Sequence, residues 1–175
     1  RALGYLPEHN ALYDTMRVDR FLAFVGKIRG LSGSALRERI AWAIDACHLE
    51  LVVDKRVNQC SKGNRQRVGL AQALIGDPDV LILDEPTTGL HAADVRVLLR
   101  CFDELIAAGG SVLVVEHDLD VIRRADWVID LGPGGGPSGG KVVAEGSPAS
   151  LATHAGSLTG MALAEVLKSA PSSPA

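Results

Sequence analysis

Val80-Leu81-Ile82-Leu83-Asp84-Glu85-Pro86 decides the fold. Four apolar residues in an unbroken run, entered from Gly76-Asp77-Pro78, suit a strand buried on both faces. Downstream, Val95, Leu98, Leu99, Phe102, Leu105 and Ile106 recur at helical spacing until Gly109-Gly110, and Val112 to Val115 forms a second buried strand. Strand, helix and strand with short connections make a βαβ unit, which implies a parallel sheet with helices on its faces. The fold class is α/β.

Outward from this unit the texture changes. Upstream, Val18, Phe21, Leu22, Val25 and Ile28 mark one helical stripe, and Leu36, Ile40, Ile44 and Cys47 mark a second behind a Ser34 cap. A third helix is expected from about Gly63 to Ile75. Downstream, short strands at Trp127–Leu131 and Lys141–Ala144 enclose a glycine-rich stretch, and the last dozen residues read as a frayed tail.

Composition narrows the function classes. The 175 residues are 47% hydrophobic and 22% charged, which excludes wholesale disorder, and no apolar run is long enough to span a bilayer. Residues 1–90 carry 12 basic and 11 acidic groups and residues 91–175 carry 6 and 10, so neither half has the basic excess that drives binding to nucleic-acid phosphates or anionic lipid. Arg1–Asn10 lacks the apolar segment of a signal peptide, and Arg1 in place of a start Met reads as a fragment or a processed product. Cys47, Cys60 and Cys101 are odd in number and contain no CxxC, which supports neither a zinc module nor a disulfide framework. The chain reads as cytosolic and reduced.

The glycine-rich stretch is a decoy. Gly135 to Lys141 fits G-x-x-x-x-G-K and Gly134 to Gly139 fits G-x-G-x-x-G, but both phosphate-binding motifs need a following helix, and Lys141-Val142-Val143-Ala144 reads as a strand. Val142 stands where a Mg²⁺-binding hydroxyl is needed, and Pro137 has no N–H to donate. A hairpin loop is the better reading.

Chemistry concentrates elsewhere. Asp84 and Glu85 end a parallel strand, where α/β proteins place ligand sites: one carboxylate can hold Mg²⁺ through water while its neighbour orients an attacking water. A solvated acidic turn is the bland alternative. Ser61 and Gly63 enter a helix whose N-terminus can bind an anion, although an ordinary Ser cap serves equally well there. His117 follows the second strand, where its imidazole can meet a γ-phosphate or remain purely structural.

Together these residues resemble the nucleotide-binding domain of ABC ATPases. Ser61-Lys62-Gly63-Asn64-Arg65-Gln66 resembles the family signature, Val80–Glu85 the Walker B strand, Thr88-Gly89-Leu90-His91 the D-loop, His117 the switch histidine and Gly4-Tyr5-Leu6-Pro7-Glu8 the Q-loop. The resemblance implies a P-loop NTPase-like domain over residues 1–165, mainly helical to residue 76 and core sheet from residue 77, with a flexible tail over 166–175. It implies that Asp84 and Glu8 support Mg²⁺, that Glu85 polarises the hydrolytic water, and that His117 contacts the γ-phosphate of ATP. Ser61, Gly63, Gln66 and His91 fall among the nucleotide-binding positions, with Ser61 and Gly63 reaching across a head-to-tail dimer to ATP held by a second ABC ATPase domain. Glu8 replaces the Q-loop Gln, and Cys60 and Lys62 replace a signature Leu and Gly. The resemblance places the P-loop upstream of Arg1, so little ATP affinity and negligible turnover are expected of these 175 residues.

Two branches of the family meet here. Residues 4–90 resemble ATP-binding subunits of exporters of the gliding-motility type, which implies a membrane-embedded permease as partner and a cytoplasmic location at the inner face of the cell membrane. Residues 87–167, with Val115-Glu116-His117-Asp118 and Ala125-Asp126-Trp127-Val128-Ile129-Asp130-Leu131-Gly132-Pro133, resemble the C-terminal end of UvrA, the damage-sensing ATPase of bacterial excision repair, which implies DNA as partner. His91 agrees with the second branch, whereas the cysteine-paired zinc modules expected before its signature are absent. The switch across Asp84–Leu90 reads as a chimera, and a transporter ATPase is the expected function with the repair ATPase as its alternative.

Overall fold

A computed structural model describes residues 2–132, 134 and 139–169. The elements, in chain order, are β1 (Ala2–Leu6), α1 (Val18–Ile28), α2 (Gly33–Ala46), a 3₁₀ turn (Val57–Gln59), α3 (Lys62–Leu74), β2 (Pro78–Asp84), α4 (Ala92–Ala107), β3 (Ser111–Val115), α5 (Leu119–Ile122), β4 (Val128–Gly132), β5 (Lys141–Gly146), α6 (Pro148–Leu151) and α7 (Leu158–Ser169). They form two compact units, one ending at Glu116 and the other beginning at His117. The division expected at residue 76 falls inside the first unit.

In the first unit β2 is the central strand, parallel to β1 and to β3. The βαβ reading of β2, α4 and β3 holds, whereas β1 is an addition to the expected elements. It forms because Gly4 lets the strand approach closely: a Cβ there would lie 2.8 Å from Leu81 Cδ1 and 3.0 Å from the Ala73 carbonyl. The register pairs Leu6 with Leu83 and Asp84 with Val115, so the acidic end of β2 lies at the C-terminal edge of the sheet.

Burial on both strand faces was expected and is not found. Leu6, Leu81 and Leu83 are buried, while Tyr5, Leu113 and Val115 on the opposite face are 49%, 54% and 55% exposed. A continuous apolar run cannot reveal how many of its faces are covered. Among the described residues α3 packs on β1 and β2, and α4 packs on β3.

The helical part of the first unit closes over Val18, Phe21, Leu22, Leu70 and Leu74. Ser32 rather than Ser34 precedes α2, because Gly33 with φ +59° opens that helix. Arg39 of α2 donates to the Leu74 carbonyl at 2.7 Å, pairs with Asp77 at 2.9 Å and lies over the Trp42 ring. These contacts pin α2 to the turn that feeds β2.

In the second unit β4 and β5 pair antiparallel over a small core of Ile122, Ala144, Leu151 and Leu163. The pairing suits the hairpin reading, although residues 133 and 135–138 of the glycine-rich connection lie outside the described residues. Asp130 accepts hydrogen bonds from the Ser157 and Thr159 hydroxyls at 2.6 and 2.8 Å, fixing the start of α7 to β4. Helix α7 continues through residues 166–169 of the expected tail, and residues 170–175 lie outside the described residues. No helix among the described residues is long and apolar enough to cross a membrane.

Candidate functional site

The site is built where β2 ends. Asp84 closes the strand, and the chain then turns through Glu85 in the left-handed region, at φ +43°. That conformation costs a residue with a Cβ about 1–2 kcal/mol, so local bonds must offset it. The Glu85 N–H donates to the Val115 carbonyl at 2.9 Å, and the Thr88 N–H returns to the Glu85 carbonyl at 3.2 Å. The Thr88 hydroxyl donates to Glu85 Oε2 at 2.9 Å, which orients the carboxylate itself. Thr87, buried in the same turn, donates its N–H to Glu116 Oε1 at 2.8 Å, and its hydroxyl bonds the same oxygen.

Helix α3 supplies the opposite wall. Ser61 is its N-cap, accepting from the Asn64 N–H at 3.2 Å, so the ordinary capping role expected of a serine is present. Lys62 follows, and its ammonium rests against Gly89: a Cβ added there would come within 2.1 Å of Lys62 Nζ. Gly63 is buried, and a Cβ there would strike the Asp94 carboxyl carbon at 2.3 Å. Only glycine lets α3 and α4 approach so closely at that point. Arg65 is held by Asp14 at 2.7 Å and by the Val57 carbonyl at 3.3 Å, which fixes the outer side of the helix.

The segment after β1 closes the third side. Glu8 and His9 are exposed, with His9 Nδ1 3.7 Å from Glu8 Oε2. Asn10 is pressed against Gly69 of α3, and its buried Nδ2 has no hydrogen-bond partner among the described residues. Between these three segments lies a cleft of about 410 Å³ lined by Glu8, His9, Lys62, Gln66, Glu85 and Thr88, among others.

Of the residues singled out from sequence, the cleft gathers Glu8, Gln66 and Glu85. Asp84, Ser61 and His91 do not line it; His91 instead precedes α4 as its N-cap residue, without a side-chain cap bond. His117 is exposed and begins the second unit. Sequence reasoning missed the cleft positions of Lys62, Arg65 and Thr88 and the bond between Thr87 and Glu116. The signal for Lys62 was present, since a cation beside two carboxylates in a glycine position stands out once the segments are known to meet.

The chemistry on offer is mixed-charge. Glu8 and Glu85 present hard oxygen donors, while Lys62 and Arg65 present cations suited to phosphate. Among the described residues no group of three or more His, Cys, Asp or Glu is placed to hold a metal ion.

Cysteines stand apart from the cleft. Cys47, Cys60 and Cys101 are free thiols. Burial and a hydrogen bond with Cys101 push the Cys47 thiol well above its ordinary pKa.

Known proteins resemble this chain in sequence and in fold. The profile of the ABC transporter family matches residues 1–88. UvrABC system protein A of Bradyrhizobium diazoefficiens is 50% identical over 121 residues, which is 67% of this chain and 12% of that protein. UvrABC system protein A of Mycobacterium tuberculosis is 52% identical over 110 residues, 61% of this chain and 11% of that protein. The chain thus spans about an eighth of the length of the curated relatives it matches. Among solved structures, the dimeric bacterial ABC transporter cassette MJ0796 superposes with a TM-score of 0.64 at 25% identity, over 72% of this chain and 56% of that one. Another, cbiO1 from Clostridium perfringens, part of the ABC transporter complex cbiONQ, superposes with a TM-score of 0.74 at 24% identity over 95% of this chain and 61% of that one.

Proposed function

Because the chain belongs to the ABC ATPase family, we propose that its cleft is the hydrolytic side of an ATP-binding cassette of the UvrA type. In this reading Glu8 at the cleft and Asp84, next to Glu85 at the end of β2, would hold Mg²⁺, and Glu85 would polarise the attacking water. Bound Mg²⁺ supplies charge neutralisation at the transferring phosphoryl group. Gln66 and Lys62 face the same phosphates. Ser61 and Gly63, with His91, present a second face to a head-to-tail partner cassette.

The observation that carries the proposal is the convergence of Glu8, Gln66 and Glu85 on one cleft from three separate segments. Phosphoryl transfer depends on positioning and electrostatics around the γ-phosphate, and this cleft juxtaposes carboxylates, cations and amide groups at a strand terminus. Identity of about 50% to UvrABC system protein A over two thirds of the chain favours the repair branch over the transporter branch. A transporter ATPase serving a membrane-embedded permease is the second reading, supported by the family profile over residues 1–88 and by the two transporter cassettes of similar fold.

The test is a pair of titrations on the chain extended upstream through a phosphate-binding loop, and on the Glu85→Gln variant of that longer chain. Mg·ATP binding and phosphate release report on the cleft. Binding to duplex DNA with and without a bulky lesion reports on the branch. A preference for damaged duplex that changes with Mg·ATP supports the repair reading. Equal, nucleotide-independent affinity for both duplexes defeats it and leaves the transporter reading standing.

A further inference from the structure

We infer that Glu116 is the positioning residue that holds Glu85 in its working conformation. The inference rests on the reading of Glu85 as the carboxylate that polarises water.

Glu116 lies at the end of β3, outside the cleft lining, yet one of its oxygens takes two bonds from the turn that follows Glu85. Thr87 donates its backbone N–H to Oε1 at 2.8 Å, and its hydroxyl bonds the same atom. Both donors belong to a residue only 6% exposed, so losing their acceptor would leave them without water to replace it.

The tie matters because of the conformation beside it. Glu85 occupies a positive φ that a side-chain-bearing residue leaves unless neighbouring bonds hold it. Its own N–H is fixed to the Val115 carbonyl at 2.9 Å, and Thr88 fixes its carboxylate at 2.9 Å. Thr87 lies between those two anchors. Glu116 therefore secures the middle of the turn to β3, so the Glu85 carboxylate is set by three successive bonds rather than by its own rotamer. An aspartate at position 116 is one carbon too short to keep that reach, whereas glutamine keeps an acceptor oxygen at the same distance from the backbone.

The test follows backbone signals of the full chain by NMR, free of nucleotide. Glu116→Ala is expected to speed exchange of the Thr87 amide proton by about tenfold or more. It is also expected to move the φ-dependent coupling of Glu85 toward the extended value. Glu116→Gln is expected to rescue both signals to within about twofold of the original exchange rate. A merely structural role would lower Tm in Glu116→Ala while leaving the Glu85 coupling in place, and that result overturns the inference. So does a Glu116→Gln variant as disturbed as Glu116→Ala. Should Glu116→Ala fail to fold, Glu116→Asp, one carbon too short for both Thr87 donors, takes its place, and an unchanged Glu85 coupling there is equally fatal. Phosphate release by the upstream-extended chain that is indifferent to Glu85→Gln would defeat the hydrolytic reading of the cleft while leaving these backbone results to stand or fall alone.

Discussion

The two units solve the same problem, a sheet with one covered face, with different means. In the first, Leu6, Leu81 and Leu83 lie on the covered side of a parallel sheet, and helices α1 and α3 add Phe21, Leu22, Leu70 and Leu74 to the buried set. In the second, a two-stranded hairpin shares a small cluster in which its own Ala144 joins Ile122, Leu151 and Leu163, while Ile129, Leu131 and Val142 are 55%, 60% and 59% exposed. A pair of strands is marginal without packing support. The smaller unit compensates with a polar tie, Asp130 to Ser157 and Thr159, where the larger relies on apolar area. Hydrophobic area thus holds the body of β2 in its sheet, whereas the hairpin leans on directed hydrogen bonds from Asp130.

The largest effect that would break this comparison comes from the buried face of β2. Leu83→Ala is expected to cost about 3 kcal/mol, because the side chain is fully buried and its neighbours can collapse only in part. Ile129→Ala, on the exposed hairpin face, should cost less than about 0.5 kcal/mol. Urea unfolding of both variants decides the matter, and similar losses would mean that the hairpin face is covered in solution.

Next in size is the polar tie. Asp130→Ala removes the acceptor from Ser157, which is completely buried, and from Thr159. The expected loss is about 2–3 kcal/mol, local to the second unit. Hydrogen exchange should quicken along α7 and stay unchanged along α3. Uniform quickening in both units would show that the polar tie supports more than the hairpin.

How much of this was legible follows the range of the signal. The βαβ unit was readable because helical and strand periodicities are local, and Glu8, Gln66 and Glu85 were readable as members of short motifs. Strand β1 was not, since Ala2–Leu6 becomes a strand only through pairing with β2, more than 70 residues away. One-sided burial escaped notice because Val80-Leu81-Ile82-Leu83 looks the same whether one face or two are covered. The bond from Thr87 to Glu116 joins residues 29 apart with no pattern between them. Lys62 illustrates the middle case: its charge was visible, but its place beside Gly89 depends on how α3 meets the turn after β2.

A smaller effect sharpens the comparison within the first unit. Gly89 has φ +66°, so Gly89→Ala is expected to cost about 1 kcal/mol from backbone conformation. The new methyl would also displace the Lys62 ammonium, whose flexible stem yields cheaply. If that division is right, Lys62→Ala in the Gly89→Ala background changes the loss by no more than about 0.3 kcal/mol. A thermal-melt double-mutant cycle with strong coupling would instead make the Lys62 contact a structural prop of the turn.

The smallest effect depends on pH and probes apolar burial directly. Cys47 is fully buried, and desolvation, with the hydrogen bond to Cys101, raises its thiol pKa well above 9.0. A raised folded-state pKa means that the folded chain retains a proton which the unfolded chain releases. Stability from this group is therefore intact below the unfolded thiol pKa and declines as pH rises above it. The expected decline is about 1 kcal/mol by pH 9.5, in the first unit alone. Cys47→Ala should flatten that alkaline slope even though it lowers stability at neutral pH by removing buried volume. An unchanged slope in Cys47→Ala would mean that water reaches the thiol, and that the larger core is less dry than its burial implies.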